Sequence, residues 1–254
     1  MGTYRIVTDS TTDLTPELIQ ELDVQVIPLC YMMGGKTYHN IPGGGEMTDK
    51  EFYAKLRAGS MSTTTQVNSE EFLHVFTPLL EAGQDVLYIA FSSGLSGTYQ
   101  SAVLAREELK QRFPDRRLEV FDSLCASMGE GLLVYHAAKL RQAGKSLDEV
   151  LAWLKENVLN LCHWFTVDDL NHLKRGGRVS TATALVGTML GIKPVLHVDD
   201  EGHLIPVSKV RGRKQSLDAL VRRMEDTVLD PGNQMVFISH GDCLEDAELV
   251  AEMV

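Results

Sequence analysis

The residues of this sequence best suited to do chemistry are hydroxyls rather than bases. The run Ser92-Ser93-Gly94-Leu95-Ser96-Gly97-Thr98 follows the apolar segment 85–91 and precedes a helical pattern. A strand end, two glycines and a helix N-terminus in succession gather backbone N–H groups, the helix dipole and hydroxyl donors around one point, which favours a negative ligand. A tight strand-to-helix turn that holds nothing accounts for the same residues. The run lacks the Gly-Lys-Ser/Thr ending of a Walker A loop. It is not a nucleophile elbow either, because a G-x-S-x-G frame starting at Gly94 meets Thr98 where it needs glycine.

Two more hydroxyl clusters accompany it. Ser62-Thr63-Thr64-Thr65 lies in the polar stretch 60–69, read as a loop, and Asp9-Ser10-Thr11-Thr12-Asp13 closes the first strand. Three strand-end loops of one parallel sheet could thus surround a single acidic head group. None of them contains a His or Lys to activate a nucleophile, so the pattern points to binding and assigns no catalytic residue. A hydrolase or phosphotransferase working at Ser92 and Ser93 is the alternative.

The remaining reactive side chains are scattered. Cys30, Cys125, Cys162 and Cys243 form no C-x-x-C pair and read as buried free thiols. Cys162-His163 would place its side chains on opposite faces of a strand, which removes it as a nucleophile–base pair. His39, His74, His163, His172, His197 and His203 lack metal-ligand spacing, and His240-Gly241-Asp242 does not add it, so neither metal nor cofactor is expected. The methionines read mostly as core, although a flexible Met-containing lining would suit an acyl chain.

The elements that must carry these residues follow from periodicity. Strands are predicted at 4–7, 24–29, 85–91 and 118–121, with Gly34-Gly35-Lys36 as a hairpin turn after the second. Helices are predicted at 48–57 with a Thr48/Glu51 capping box, at 70–81, 99–113 and up to 140, and at 147–157 capped by Ser146. Thr15 is the expected cap of another helix, with Pro16 in its first position. Strand–helix alternation argues for a parallel sheet covered on both faces. Beyond residue 160 the pattern changes: a strand at 162–167, a short helix at 169–174, a helix at 181–190, a hairpin over 193–210, a helix at 216–229, a strand at 234–239 and a final helix from 245. The fold class is therefore α/β. A parallel-sheet N-terminal domain, 1–160, carries the three hydroxyl-bearing loops, and a smaller α+β domain, 161–254, follows it.

Net charge of −11 argues against nucleic-acid binding, whose affinity rests on neutralising phosphates. The window 172–214 nevertheless holds eight basic residues (Lys174, Arg175, Arg178, Lys193, Lys209, Arg211, Arg213, Lys214) against the three acids Asp199, Asp200 and Glu201. It is either a solvated face or a docking surface for an anionic group or acidic partner. No apolar run reaches the roughly 18 residues of a membrane span. The start, Met1-Gly2-Thr3-Tyr4-Arg5, has no signal-peptide core, so a cytoplasmic protein is expected.

The segments Arg5-Ile6-Val7-Thr8-Asp9-Ser10-Thr11-Thr12-Asp13-Leu14, Val26-Ile27-Pro28-Leu29, Thr63-Thr64-Thr65-Gln66, Ser92-Ser93-Gly94-Leu95-Ser96-Gly97-Thr98-Tyr99, Val120-Phe121-Asp122-Ser123, Leu173-Lys174-Arg175-Gly176-Gly177-Arg178, Gly191-Ile192-Lys193-Pro194-Val195 and Lys209-Val210-Arg211-Gly212 resemble, in order, those of the DegV family of fatty-acid-binding proteins. The resemblance implies a two-domain α/β fold enclosing a long-chain fatty acid, with the head-group-binding loops in 1–160 and the domain 161–254 closing the lipid pocket and reading as truncated at its C-terminus. It implies a carrier whose bound carboxylate is phosphorylated by a separate fatty acid kinase for phospholipid synthesis, with transient membrane contact. It places the carboxyl group on Thr64 and Ser93, with Thr65 standing where the family usually has serine and Ser92 as the neighbouring candidate. It associates Arg178 and Arg211 with kinase docking or head-group handling. Val67 departs from the family's proline. Family members also continue into a histidine-containing segment past a helix like 245–254, so the sequence is expected either to be a fragment or to hold the head group without that histidine.

Overall fold

The computed structural model describes residues 4–179 and 191–254. It divides into two compact units, Met1–Asn160 and Leu161–Val254.

The first unit opens with β1 (Tyr4–Asp9), α1 (Pro16–Leu22) and β2 (Gln25–Ile27), followed by β3 (Cys30–Met33), β4 (Lys36–His39), α2 (Asp49–Arg57) and β5 (Ser62–Thr65). It continues through α3 (Ser69–Glu81), β6 (Asp85–Ala90), α4 (Thr98–Arg112), β7 (Leu118–Asp122), α5 (Met128–Gln142) and α6 (Leu147–Asn157). A parallel sheet runs β2-β1-β6-β7. Its β6 residues Val86 to Ala90 are solvent-free, as expected of a strand covered on both faces. Phe72 and Phe76 of α3 pack on Tyr88 with ring centroids 4.9 and 5.9 Å away. The helix starts are set locally: capping boxes form at Thr48/Glu51, Asn68/Glu71 and Ser146/Glu149, and Thr15 caps α1 ahead of Pro16.

Two expectations need correction here. The polar stretch around Thr64 is not wholly a loop: β5 pairs with β3 in a separate antiparallel sheet, β4-β3-β5. Its hydroxyls therefore do not sit on a strand end of the parallel sheet. The Gly34-Gly35 turn joins β3 to β4 rather than following the strand at 25–27, and both glycines have positive φ, 60° and 77°, as a two-residue type I′ turn requires.

The second unit comprises β8 (Trp164–Thr166), α7 (Leu170–Arg175), β9 (Ile192–Val198), β10 (Leu204–Arg211), α8 (Arg213–Thr227) and α9 (Leu244–Met253). Its antiparallel sheet is ordered β10-β9-β8. The helix expected at 181–190 lies outside the described residues. The strand expected at 234–239 does not form: no described strand offers it a ladder, and Met235 and Val236 stand 43% and 41% exposed. Among the four cysteines Cys125 alone is buried, and Cys162 is exposed, which corrects the expectation of buried thiols. No helix among the described residues is long and apolar enough to cross a membrane.

Candidate functional site

In the first unit β1 lies between β2 and β6, so the chain leaves β1 toward one side of the sheet and later fills the other. The carboxyl ends of β1 and β6 flank that reversal, the place where open α/β sheets hold their ligands. Three segments emerge there: the helical turn Ser10–Thr12 after β1, the loop 91–98 after β6, and residues 123–127 after β7.

The loop 91–98 is not the open nest of amides that its composition suggests. The Phe91 N–H donates to Asp9 Oδ2 at 3.3 Å, and the Ser92 N–H to the Cys125 carbonyl at 3.0 Å. The Ser93 N–H donates to Asp122 Oδ1 at 3.1 Å, and the Gly94 N–H to Ser92 Oγ at 3.1 Å. Leu95 and Ser96 both donate to the Ser92 carbonyl, at 3.1 and 3.2 Å, and Thr98 donates to Ser96 Oγ at 3.2 Å. The tight winding around Ser92 and the carboxylates at the ends of β1 and β7 consume these donors. Ser92 is fully buried as the hub of that winding, whereas Ser93 is exposed and its hydroxyl has no hydrogen bond among the described residues.

Beneath the loop lies a buried pair of carboxyl groups that sequence reasoning missed. Asp9 accepts from Thr11 N–H at 3.0 Å, from Tyr88 O–H at 2.7 Å and from Phe91 N–H at 3.3 Å. Thr11 Oγ1 stands 2.5 Å from Asp9 Oδ1 and 2.7 Å from Glu130 Oε2. Thr8 Oγ1 lies 2.9 Å from the Ile89 carbonyl, which can only accept, and 3.2 Å from Glu130 Oε1. One threonine proton cannot satisfy two ionised carboxylates, so one acid carries a proton. Asp9 faces amide N–H groups that can only donate; Glu130 faces hydroxyls that can accept. Glu130 is therefore the protonated member and Asp9 the anion. Burial pushes both carboxyls up, Glu130 well above the usual range with the Asp9 charge as its second cause, while the donors around Asp9 pull it back.

Folding thus gives Glu130 more affinity for its proton than the unfolded chain has, from its ordinary value of 4.5 upward. Stability falls as pH rises through that window. Glu130→Gln keeps a donor and an acceptor but cannot ionise, so its stability relative to the parent should grow with pH above about 4.5, as read by urea midpoints; a constant difference across pH would contradict the assignment.

A glycine marks the closeness of this packing. A Cβ on Gly131 would lie 2.6 Å from the Thr12 carbonyl oxygen. Gly→Ala within a helix normally stabilises by up to about 1 kcal/mol. Gly131→Ala should instead lower stability by about 1–3 kcal/mol, the cost of overpacking, in the same denaturation experiment.

The hydroxyls of β5 reach the loop through a residue also missed, Gln66. Its Nε2 donates to Ser101 Oγ at 3.2 Å, and a Cβ on Gly97 would meet its Oε1 at 2.2 Å, so Gly97 leaves the space that Gln66 fills. Thr64 pairs opposite Tyr31, which pairs opposite Tyr38, so these three share one face. Thr65 takes the other face and its hydroxyl donates to the Cys30 carbonyl at 3.4 Å. Thr64 and Thr65 thus point in opposite directions, and the Thr64 hydroxyl has no hydrogen bond among the described residues.

In the second unit Arg178 donates to the Gly176 carbonyl and Arg211 is exposed at the end of β10. Two of the eight basic residues are already paired there, Lys193 with Asp168 at 2.6 Å and Arg213 with Asp246 at 2.7 Å. Burial pushes the Cys125 thiol up to about 12 and the His163 imidazole down to about 4, so both are neutral near pH 7. Among the described residues no three His, Cys, Asp or Glu side chains converge to hold a metal.

A family model described as "Uncharacterised protein, DegV family" matches residues 3–254. A DegV domain-containing protein of Clostridium perfringens is 46% identical over 255 residues, covering 100% of this chain and 87% of the relative. A solved Thermus thermophilus DegV family protein, described by its fatty acid binding, is 37% identical with a TM-score of 0.75, covering 88% of this chain and 77% of its own. A stearic-acid-binding protein from Eubacterium ventriosum is 25% identical with a TM-score of 0.84, covering 98% and 87%.

Proposed function

From the fact that the chain belongs to the DegV family, we propose that it is a carrier that binds a long-chain fatty acid and presents its carboxyl group to a separate fatty acid kinase. The observation that carries this reading is an exposed Ser93 hydroxyl, without a hydrogen bond among the described residues, at the switch point of the parallel sheet, with no His, Lys or Arg in the surrounding loops to turn it into a nucleophile. The solved relatives named for fatty acids support the ligand class. In this reading Ser93 and Thr64 hold the head group. Thr65 serves β5 through its bond to Cys30, and Ser92 shapes the loop from below. The first unit supplies these contacts. Arg178 and Arg211 belong to the surface offered to the kinase, and the protein works in the cytoplasm with transient membrane contact.

Affinity then resides in the tail. About fourteen methylenes at roughly 0.8 kcal/mol each supply ~11 kcal/mol before the costs of association. The hydroxyls select the acid more than they bind it. Titration with palmitic acid tests the assignment. Ser93→Ala should weaken binding about tenfold, the worth of one hydrogen bond, while Arg178→Ala should leave lipid affinity intact and weaken kinase association. Equal loss of both properties in Arg178→Ala, or an unchanged affinity in Ser93→Ala, would contradict these roles.

A further inference from the structure

The carboxyl-end face of the parallel sheet carries fixed charge of one sign. Asp9 closes β1 and is held as an anion by its donors. Asp122 closes β7 and receives both the Ser93 and the Leu124 N–H on one oxygen, at 3.1 Å each. Its second oxygen makes no hydrogen bond among the described residues. Asp13 accepts from the Ser127 hydroxyl at 2.5 Å. The segments 8–14, 62–68, 91–98 and 122–131 contain no Lys, Arg or His.

The elements packed on this face do not reverse the sign. Tyr88 of β6 and Glu130 of α5 are buried there and neutral. The β3–β4 hairpin carries Lys36 and His39, which lie 4.0 and 3.2 Å from Glu46. Helix α3 brings Glu70, Glu71, His74 and Glu81, and α2 brings Asp49, Lys50, Glu51, Lys55 and Arg57. In α4 Lys110 and Arg112 lie in the last turn, and Arg106 in mid-helix pairs with Glu107. In α5 Lys139 and Arg141 lie in the last turn, paired with Glu21 and Asp23, and burial pushes the pKa of His136 in mid-helix down.

An ionised head group would therefore meet the already engaged amides of residues 91–96 and 98, the acids Asp9, Asp13 and Asp122, and no cation from these segments. A protonated carboxyl group fits the same atoms. It has a carbonyl oxygen to accept from the Ser93 hydroxyl and an O–H to donate to the unengaged oxygen of Asp122, which belongs to the carboxylate that already holds Ser93 by its N–H. We propose that this face takes the fatty acid in its neutral, protonated form, with Asp122 as the residue that sets the preference. The inference rests on the carrier reading and sharpens it: the group recognised is a carboxylic acid, with neutral hydrogen-bonding head groups such as a primary amide tolerated.

The test uses the full chain loaded with palmitic acid labelled with carbon-13 at the carboxyl, whose resonance reports ionisation while bound. Titrated from pH 5 to 10, the bound carboxyl should ionise at least about two units above the ~4.3 of a simple side-chain carboxyl. Asp122→Asn keeps an oxygen for the Ser93 and Leu124 amides and removes the charge, so its midpoint should fall by about one unit, a tenfold change in the ionisation constant. A wild-type midpoint at or below the ordinary value overturns the proposal whatever the variant does, and so does an unmoved midpoint in a folded Asp122→Asn. A labelled acid that never joins the protein at any pH overturns the carrier reading itself.

Discussion

Asp9→Ala is expected to be the most damaging single change in the first unit, costing about 3–5 kcal/mol. The substitution strands the Tyr88 hydroxyl and the Thr11 and Phe91 amides, each of which now ends on the Asp9 carboxylate. A buried donor left without its partner costs about 1–3 kcal/mol, and Tyr88 is entirely buried with its hydroxyl donating to Asp9. The loss should show as a large drop in urea midpoint. It should also loosen the loop, because Phe91 and the Ser10–Thr12 turn are tied to the same side chain, and amide exchange at residues 91–93 should accelerate beyond what the fall in global stability explains. A variant within about 1 kcal/mol of the parent would mean that water replaces the carboxylate at little cost, and that the pair is not the keystone proposed.

The second large effect is on stability in the presence of ligand. A carrier binds the acid only when folded, so palmitic acid at a hundredfold excess over its dissociation constant should stabilise the protein by about 2.7 kcal/mol. The stripped protein should unfold at correspondingly lower temperature. Ser93→Ala, tested at the same concentration, should lose about 1 kcal/mol of that gain while its stripped form matches the stripped parent, because the Ser93 hydroxyl has no partner within the described chain. A Ser93→Ala protein already weaker without lipid would assign the hydroxyl to the fold.

Much of the scaffold could be read from the sequence because its signals are local. The apolar run ending at Phe91, the capping boxes at Thr48 and Ser146, and Pro16 after Thr15 each fix an element within a few residues. What failed was pairing. Ser62 to Thr65 look like a loop because nothing in them says that β3 lies alongside, and residues 234–239 look like a strand although no described neighbour completes a ladder. A strand is a property of two segments, and polarity or apolarity of one does not decide it.

For the candidate site, the sequence locates the loop but not the partners of its amides. Composition pointed to Ser93 and its loop, but where a backbone N–H goes is not written in composition, and the amides proved to be spent on Ser92, Asp9, Cys125 and Asp122. Glu130 was invisible for a similar reason. A single acid on a helix reads as surface charge, and only the glycines on either side, in the first turn of the helix, hinted at a close approach, which the structure shows at Gly131. Gln66 hid in a polar run. Its role appears only once Gly97 is seen to leave room for its amide. These corrections move the emphasis from an anion-binding loop to a hydroxyl-based reader of an acid.

The central claim is that this chain carries a long-chain fatty acid. Mass spectrometry of the protein purified from cells, first intact under native conditions and then after extraction of the bound material, tests it most directly. The account predicts one fatty acid per chain, lost on denaturation and released as a free acid rather than as an ester or phosphate. A protein that emerges empty and takes up no fatty acid from solution would contradict it.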